Sequence, residues 1–170
     1  MNKKEIDNKS IGYNLLRTYT KFIFRRYYKK YETHNAKSVK QNKPIIFALN
    51  HQNALMDALA VVHAVKSQPV FLARSDIFRN PVQAKILNFF KIMPIYRIRD
   101  GAENVKKNDE VFEKTMNVLR NKKSPLGIMP EGMHGDKRRL RPLVKGVFRI
   151  ALLAQQEYGK TRKCSLCPLA

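Results

Sequence analysis

The chain is short of acids: 13 Asp and Glu stand against 34 Lys and Arg in 170 residues, a formal net charge of +21. That imbalance is far beyond what solubility requires and predicts attraction to polyanions, with nucleic acid and anionic membrane as the candidates. Cysteine is scarce too. Cys164 and Cys167 form a lone C-x-x-C with no second pair and no neighbouring His, which excludes a zinc tetrahedron and leaves two ordinary reduced thiols. No uninterrupted apolar run approaches the roughly 18 residues of a spanning helix, so any membrane contact is expected to be peripheral. Lys3, Lys4 and Lys9 are not followed by an apolar core, which argues against a cleavable secretory signal and for a cytoplasmic protein. There is no internal repeat and no low-complexity tract. The length fits one domain with its own core.

What is present begins with a dense mixture of aromatic and basic residues from Ser10 to Glu32. No proline follows Ser10, which is a good N-cap, and the stretch reads as one helix. Leu15, Leu16, Tyr19, Phe22, Ile23 and Arg26 fall at helical spacing and give an apolar face flanked by cations. Such a helix lies in a membrane interface, with Lys and Arg snorkelling and Tyr and Phe at headgroup depth. The competing reading docks it on the domain through its aromatics. Residues 1–43 are thus read as an interfacial helix with a polar linker from Thr33 to Lys43, and residues 44–170 as the domain proper.

From Pro44 onward apolar runs alternate with helical segments. Strands are expected at Ile45–Leu49, Val70–Ala73, Met93–Tyr96 and Leu126–Met129, with a last apolar piece at Ser165–Leu169. Helices are expected at about Asn53–Lys66, in pieces over Asp76–Phe90, at Glu103–Asn121 and at Val144–Tyr158. This alternation predicts an α/β fold, a mainly parallel sheet flanked by helices and preceded by the N-terminal basic amphipathic helix. No helix follows the last strand to cover it, which suggests a chain truncated at its C-terminus.

Three groups of reactive residues lie just after predicted strands: His51 with Asp57, the segment Pro94 to Gly101 with Arg97 and Arg99, and Met129-Pro130-Glu131-Gly132. Parallel strands bring all three to the carboxyl edge of the sheet, where open α/β folds place their ligands. A His beside an Asp there is a base with its orienter, whereas the bland reading makes Asp57 an ordinary first-turn helix acid.

In motif order, spacing and strand context the set resembles the glycerolipid acyltransferase family, specifically the lysophosphatidic acid acyltransferases. Asn50-His51 matches the family's Asn-His, Pro130-Glu131-Gly132 its Pro-Glu-Gly, and Leu143-Val144-Lys145-Gly146 is similar to the segment that opens the next helix. Cys167-Pro168 falls where the last motif begins. Two features depart from the pattern. Five residues rather than four separate His51 from Asp57, and Met133-His134-Gly135 stands where Thr-Arg-Ser is usual, with Arg138, Arg139 and Arg141 a few residues on. At ~100° per residue, His51 and Asp57 would be about 120° apart on a continuous helix, so the His is placed in the loop before it.

The resemblance implies acyl transfer from a thioester, acyl-CoA or acyl carrier protein, to the free hydroxyl of lysophosphatidic acid or a related lysophospholipid. His51 would be the general base and Asp57 would hold its tautomer, with no cofactor beyond the donor. Arg97, then Arg99, would meet the acceptor's phosphate, a geometry suited to a guanidinium. Glu131 would hold an Arg or a backbone turn at that substrate-binding end, and Gly132 would permit close backbone approach. The expected partners are the thioester donor, the lysolipid and an anionic membrane surface, at the cytoplasmic face of the cell membrane, with no nucleic acid. Two alternatives stay open: a noncatalytic basic protein binding membrane or nucleic acid, and a thioester hydrolase using the same His and Asp. His63 and His134 are read as satisfied or solvated histidines.

Overall fold

The computed structural model describes residues 6–34, 43–50, 53–96, 102–121, 124–131, 142–158 and 164–169. Among them are five helices, α1 (Ile11–Tyr27), α2 (Ala54–Ala64), α3 (Pro81–Phe89), α4 (Ala102–Asn121) and α5 (Lys145–Tyr158). The strands are β1 (Ile45–Leu49), β2 (Val70–Arg74), β3 (Ile92–Ile95), β4 (Leu126–Ile128) and β5 (Ser165–Leu169). All pairings are parallel and the strand order is β3-β2-β4-β1-β5, the α/β sheet that the alternation of apolar runs predicts.

The order of the strands decides where the helices go. The connections β1 to β2 to β3 step one way across the sheet, while β3 to β4 to β5 step the other way. Right-handed crossovers therefore put α2 and α3 on one face and α4 and α5 on the other. The buried side chains agree. Ile45, Phe47, Leu49 and Phe71 join Val61, Val62 and Val65 of α2 and Tyr13 of α1 on the first face. Ile46, Val70, Leu72, Leu126 and Ile128 join Val111, Val118 and Leu119 of α4 and Val147, Ile150 and Ala154 of α5 on the second. Successive strand residues alternate between the two clusters, as the pleat requires. Gly127 is the exception in size: its strand neighbour Phe71 lies so close that a Cβ there would overlap the ring.

Helix α1 stops at Tyr27, short of the Glu32 expected from the sequence, because Tyr28 is already extended. The chain turns there so that the Tyr28 and Tyr31 rings pack on Phe24, at centroid distances of 4.6 and 5.3 Å, and the Tyr31 hydroxyl donates to Ala60 O at 3.0 Å. The helical pieces expected over Asp76–Phe90 are a 3₁₀ turn, Ser75–Phe78, and then α3. Asn80 starts α3 by accepting from the backbone of Val82 and Gln83, and Pro81 occupies the first helical position, where its missing N–H is no loss. Ile45–Leu49 and Ser165–Leu169 have the limits expected, and the remaining strands and helices differ from expectation by at most two residues at an end.

The N-terminal helix does dock on the domain, but not through the stripe its periodicity suggests. Tyr13 and Phe24 are buried, whereas Leu15, Tyr19, Phe22 and Ile23 are exposed. Its seat is the carboxyl end of α2. The Arg17 guanidinium donates to the carbonyls of Val65, Lys66 and Ser67, which places a cation on the negative pole of that helix. Gln68 bonds Ser10 N, Ser10 O and Asn14 Oδ1 at 2.8 to 3.1 Å. Cys164 and Cys167 are free, and they pack against opposite faces of the sheet.

Candidate active site

Strand β1 leads to α2 on one face, while its neighbour β4 leads to α5 on the other. Their connections thus leave the carboxyl edge in opposite directions, and a crevice opens at such a switch point. Ala48 and Ile128 are the last paired residues of the two strands. Just beyond them come Asn50 on one side and Pro130-Glu131 on the other. His51, Arg97, Arg99 and Gly132 lie outside the described residues, as do His134, Arg138, Arg139 and Arg141.

Asp57 sits in the first turn of α2, half-buried. Its Oδ2 accepts the backbone N–H of Asn53 at 2.8 Å, and Asp57 N donates to Asn53 O at 3.0 Å. Asn53 is the N-cap without a side-chain capping bond, and the Asp57 carboxylate reaches back to the cap residue's own N–H rather than to those of the first turn. The described helix begins at Ala54 and carries Asp57.

Glu131 is buried, at 8% exposure, and its Oε1 has no hydrogen-bond partner among the described residues. A carboxylate oxygen withdrawn from water in this way has lost a hydration shell that nothing described replaces. The position is fixed from behind: Val144 N donates to Pro130 O at 2.7 Å and ties the end of β4 to the start of α5.

Two residues at this edge escape a reading of the sequence. Asn108 of α4, buried, accepts from Tyr96 N at 2.9 Å and donates to Tyr96 O at 2.7 Å, holding both peptide groups of the residue that precedes Arg97. Its signal is an amide set among Val111, Thr115, Val118 and Leu119 on the buried stripe of α4. Arg74 ends β2 beside Ile95 and grips Asp76 through two nitrogens, and this hydrogen bond holds the Asp76 carboxyl below the usual carboxylate range. A cation closing an apolar strand run is the signal there.

Below Tyr96, a cavity of about 820 Å³ follows β3 between α3 and α4. Phe89, Met93, Pro94, Val111 and Val118 give it apolar walls, and Lys85, Lys107 and Lys114 are among its polar lining.

The fold and the crevice define an open α/β protein whose polar groups gather at the carboxyl edge of a parallel sheet. The Acyltransferase family profile matches residues 30–170, and the chain belongs to that family, whose activity is acyl transfer. A comparison with individual curated proteins finds no match.

Proposed function

We propose that this acyltransferase moves a fatty acyl group from acyl-CoA or acyl carrier protein to the hydroxyl of lysophosphatidic acid or a related lysophospholipid, for phospholipid synthesis. The observation that carries the reading is that Asn50 and Glu131 lie just past the paired ends of β1 and β4, with Asp57 in the first turn of α2, in a chain of this family. In the proposed reaction His51 takes the proton of the acceptor hydroxyl. The oxygen attacks the thioester carbonyl carbon, a C–O bond forms, and the tetrahedral intermediate expels the thiolate as the C–S bond breaks. The imidazolium returns the proton to the sulfur, so no cofactor is consumed.

Asp57 holds the imidazole and stabilises its cation. A carboxylate has about four acceptor sites, so the bond from Asn53 is compatible with that task. Arg97, with Arg99, receives the phosphate, and the Asn108 clamp on Tyr96 fixes where that cationic segment begins. Glu131, with Gly132, orders the substrate-binding end of the crevice. The cavity along β3, with Tyr96 in its lining, offers an acyl chain apolar contact at Phe89, Met93, Val111 and Val118, among walls that also hold Asp7, Glu110 and lysines.

The acceptor is an amphiphile, which fits the exposed apolar and basic face of α1 and the net charge of +21. Residues 1–43 would then act as interface helix and linker at the cytoplasmic face of the cell membrane. No described helix is long and apolar enough to cross a bilayer. The test is acyl transfer to lysophosphatidic acid by the full chain and by His51→Ala, with products separated. The variant should lose about 10²-fold or more. Equal rates would remove His51 as the base, and free fatty acid as the sole product would make the protein a thioesterase.

A further inference from the structure

We propose that α3 is a second bilayer-contacting element, which with α1 makes the whole α1–α3 face of the sheet the surface that sits on an anionic membrane. This rests on the membrane reading of α1 above and extends it to a helix inside the acyltransferase domain.

Helix α3 buries no residue. Val82, Ile86, Phe89 and Phe90, spaced i, i+4, i+7 and i+8, form one stripe that is 37 to 64% exposed. A helix of 9 residues is too short to persist on propensity alone, and the Asn80 cap explains its start but not its apolar side. The stripe is continuous with that of α1. A Cβ built on Gly12 meets the Phe89 ring at 3.6 Å, and Ile11 and Leu15 beside it are 82% and 70% exposed.

Charge chooses the occupant. Helices α1 and α3 contain Arg17, Lys21, Arg25, Arg26 and Lys85 and not one acid, while in α4 on the opposite face Glu103, Asp109, Glu110 and Glu113 balance Lys106, Lys107, Lys114 and Arg120. An apolar stripe among cations matches an anionic lipid surface, where the side chains enter the acyl boundary and the cations meet headgroups. Single-stranded nucleic acid fits less well: Tyr19, Phe22, Phe89 and Phe90 offer faces for stacking, but Ile11, Leu15, Val82 and Ile86 among them do not. With both helices down, the sheet lies flat over the bilayer and its carboxyl edge opens sideways at headgroup level.

The chain has no tryptophan, so one introduced indole reports its own position. Three full-length variants are compared: L15W on α1, I86W on α3, and L152W, an equally exposed site on α5 of the opposite face. Each is mixed with phosphatidylcholine vesicles with and without phosphatidylglycerol, and with vesicles carrying brominated acyl chains. L15W and I86W should shift to the blue and be quenched by bromine only when phosphatidylglycerol is present, and L152W should do neither. Adding I86D to L15W should weaken vesicle partitioning by about tenfold, with far-ultraviolet circular dichroism unchanged. A response from L15W but not I86W overturns the assignment of α3 and leaves the α1 reading standing. Silence from both removes the membrane reading as well. Equal responses from all three, or an I86W shift produced as strongly by single-stranded RNA, also overturn the proposal.

Discussion

The two faces of the sheet are covered in opposite ways. On one, α4 and α5 turn Val111, Val118, Leu119, Val147, Ile150 and Ala154 inward against the strands. On the other, α2 does the burying with Val61, Val62 and Val65, while α1 buries only Tyr13 and Phe24 and α3 nothing. Helices of similar amphipathic make-up thus serve different ends: one pair closes a core, the other carries apolar surface outward. The α4–α5 face exposes apolar side chains too, Phe148 and Leu152, so the difference lies in what is buried: α5 turns a second side inward and α3 does not.

The sharpest way to break the comparison is to truncate a side chain on each face. Leu119→Ala, at a fully buried site, should lower the unfolding free energy by about 2–5 kcal/mol, whereas Ile86→Ala should stay within about 0.5 kcal/mol. Urea unfolding of both variants checks this, and equal losses would mean that α3 is part of the core after all. Gly127→Ala should be the next largest effect, about 1–3 kcal/mol, since the new methyl group must displace the Phe71 ring between β4 and β2. Phe71→Leu in the same chain should recover part of that loss, and no recovery would place the strain elsewhere.

The smallest effect concerns how α1 is held on α2. His63 is buried against the Phe24 ring at 5.0 Å, and its Nε2 lies 3.2 Å from Thr20 Oγ1. The Thr20 hydroxyl donates to Arg17 O, so its oxygen accepts from His63 and the ring is the neutral Nε2–H tautomer, with Nδ1 buried and unpartnered among the described residues. The histidine read as satisfied from the sequence is therefore only half so. Burial, and after it the charges of Lys21, Arg17 and Arg25, push its pKa below 6.5. The unfolded chain then takes up the proton first. The contribution of His63 to stability is whole above about pH 6.5 and is lost as pH falls from there toward the folded pKa. Urea midpoints between pH 7.5 and 5 should show a decline that His63→Leu flattens, to be compared at about half-unit steps. An unchanged slope would show that α1 is not seated through this ring.

Much of the fold is legible in the sequence for a physical reason. Strands buried on both faces read as continuous apolar runs, so Ile45–Leu49 and Leu126–Ile128 stand out, and each helix between them has its own period. The same logic fails on α1, where apolar residues lie on nearly every side. Periodicity finds a stripe at Leu15, Tyr19, Phe22 and Ile23 but cannot say which stripe faces protein, a choice made by Arg17 and Gln68 across more than 40 residues of chain. At the site, Asp57 is legible as a first-turn acid and Glu131 as a strand-end acid, but its burial is not. Asn108 is legible only as an amide on the apolar stripe of α4, and what it holds, a peptide group 12 residues away, is not. His51, Arg97, Arg99 and Gly132 rest on motif and family.

That amide also sets a mechanical reference. An edge strand's last peptide ordinarily finds one neighbour on one side; at Tyr96 the Asn108 side chain offers a donor and an acceptor together, as a further strand would. It registers α4 against the end of β3 the way a dowel registers two plates. The point from which the chain leaves β3 and the helix on which it lands thereby keep their alignment.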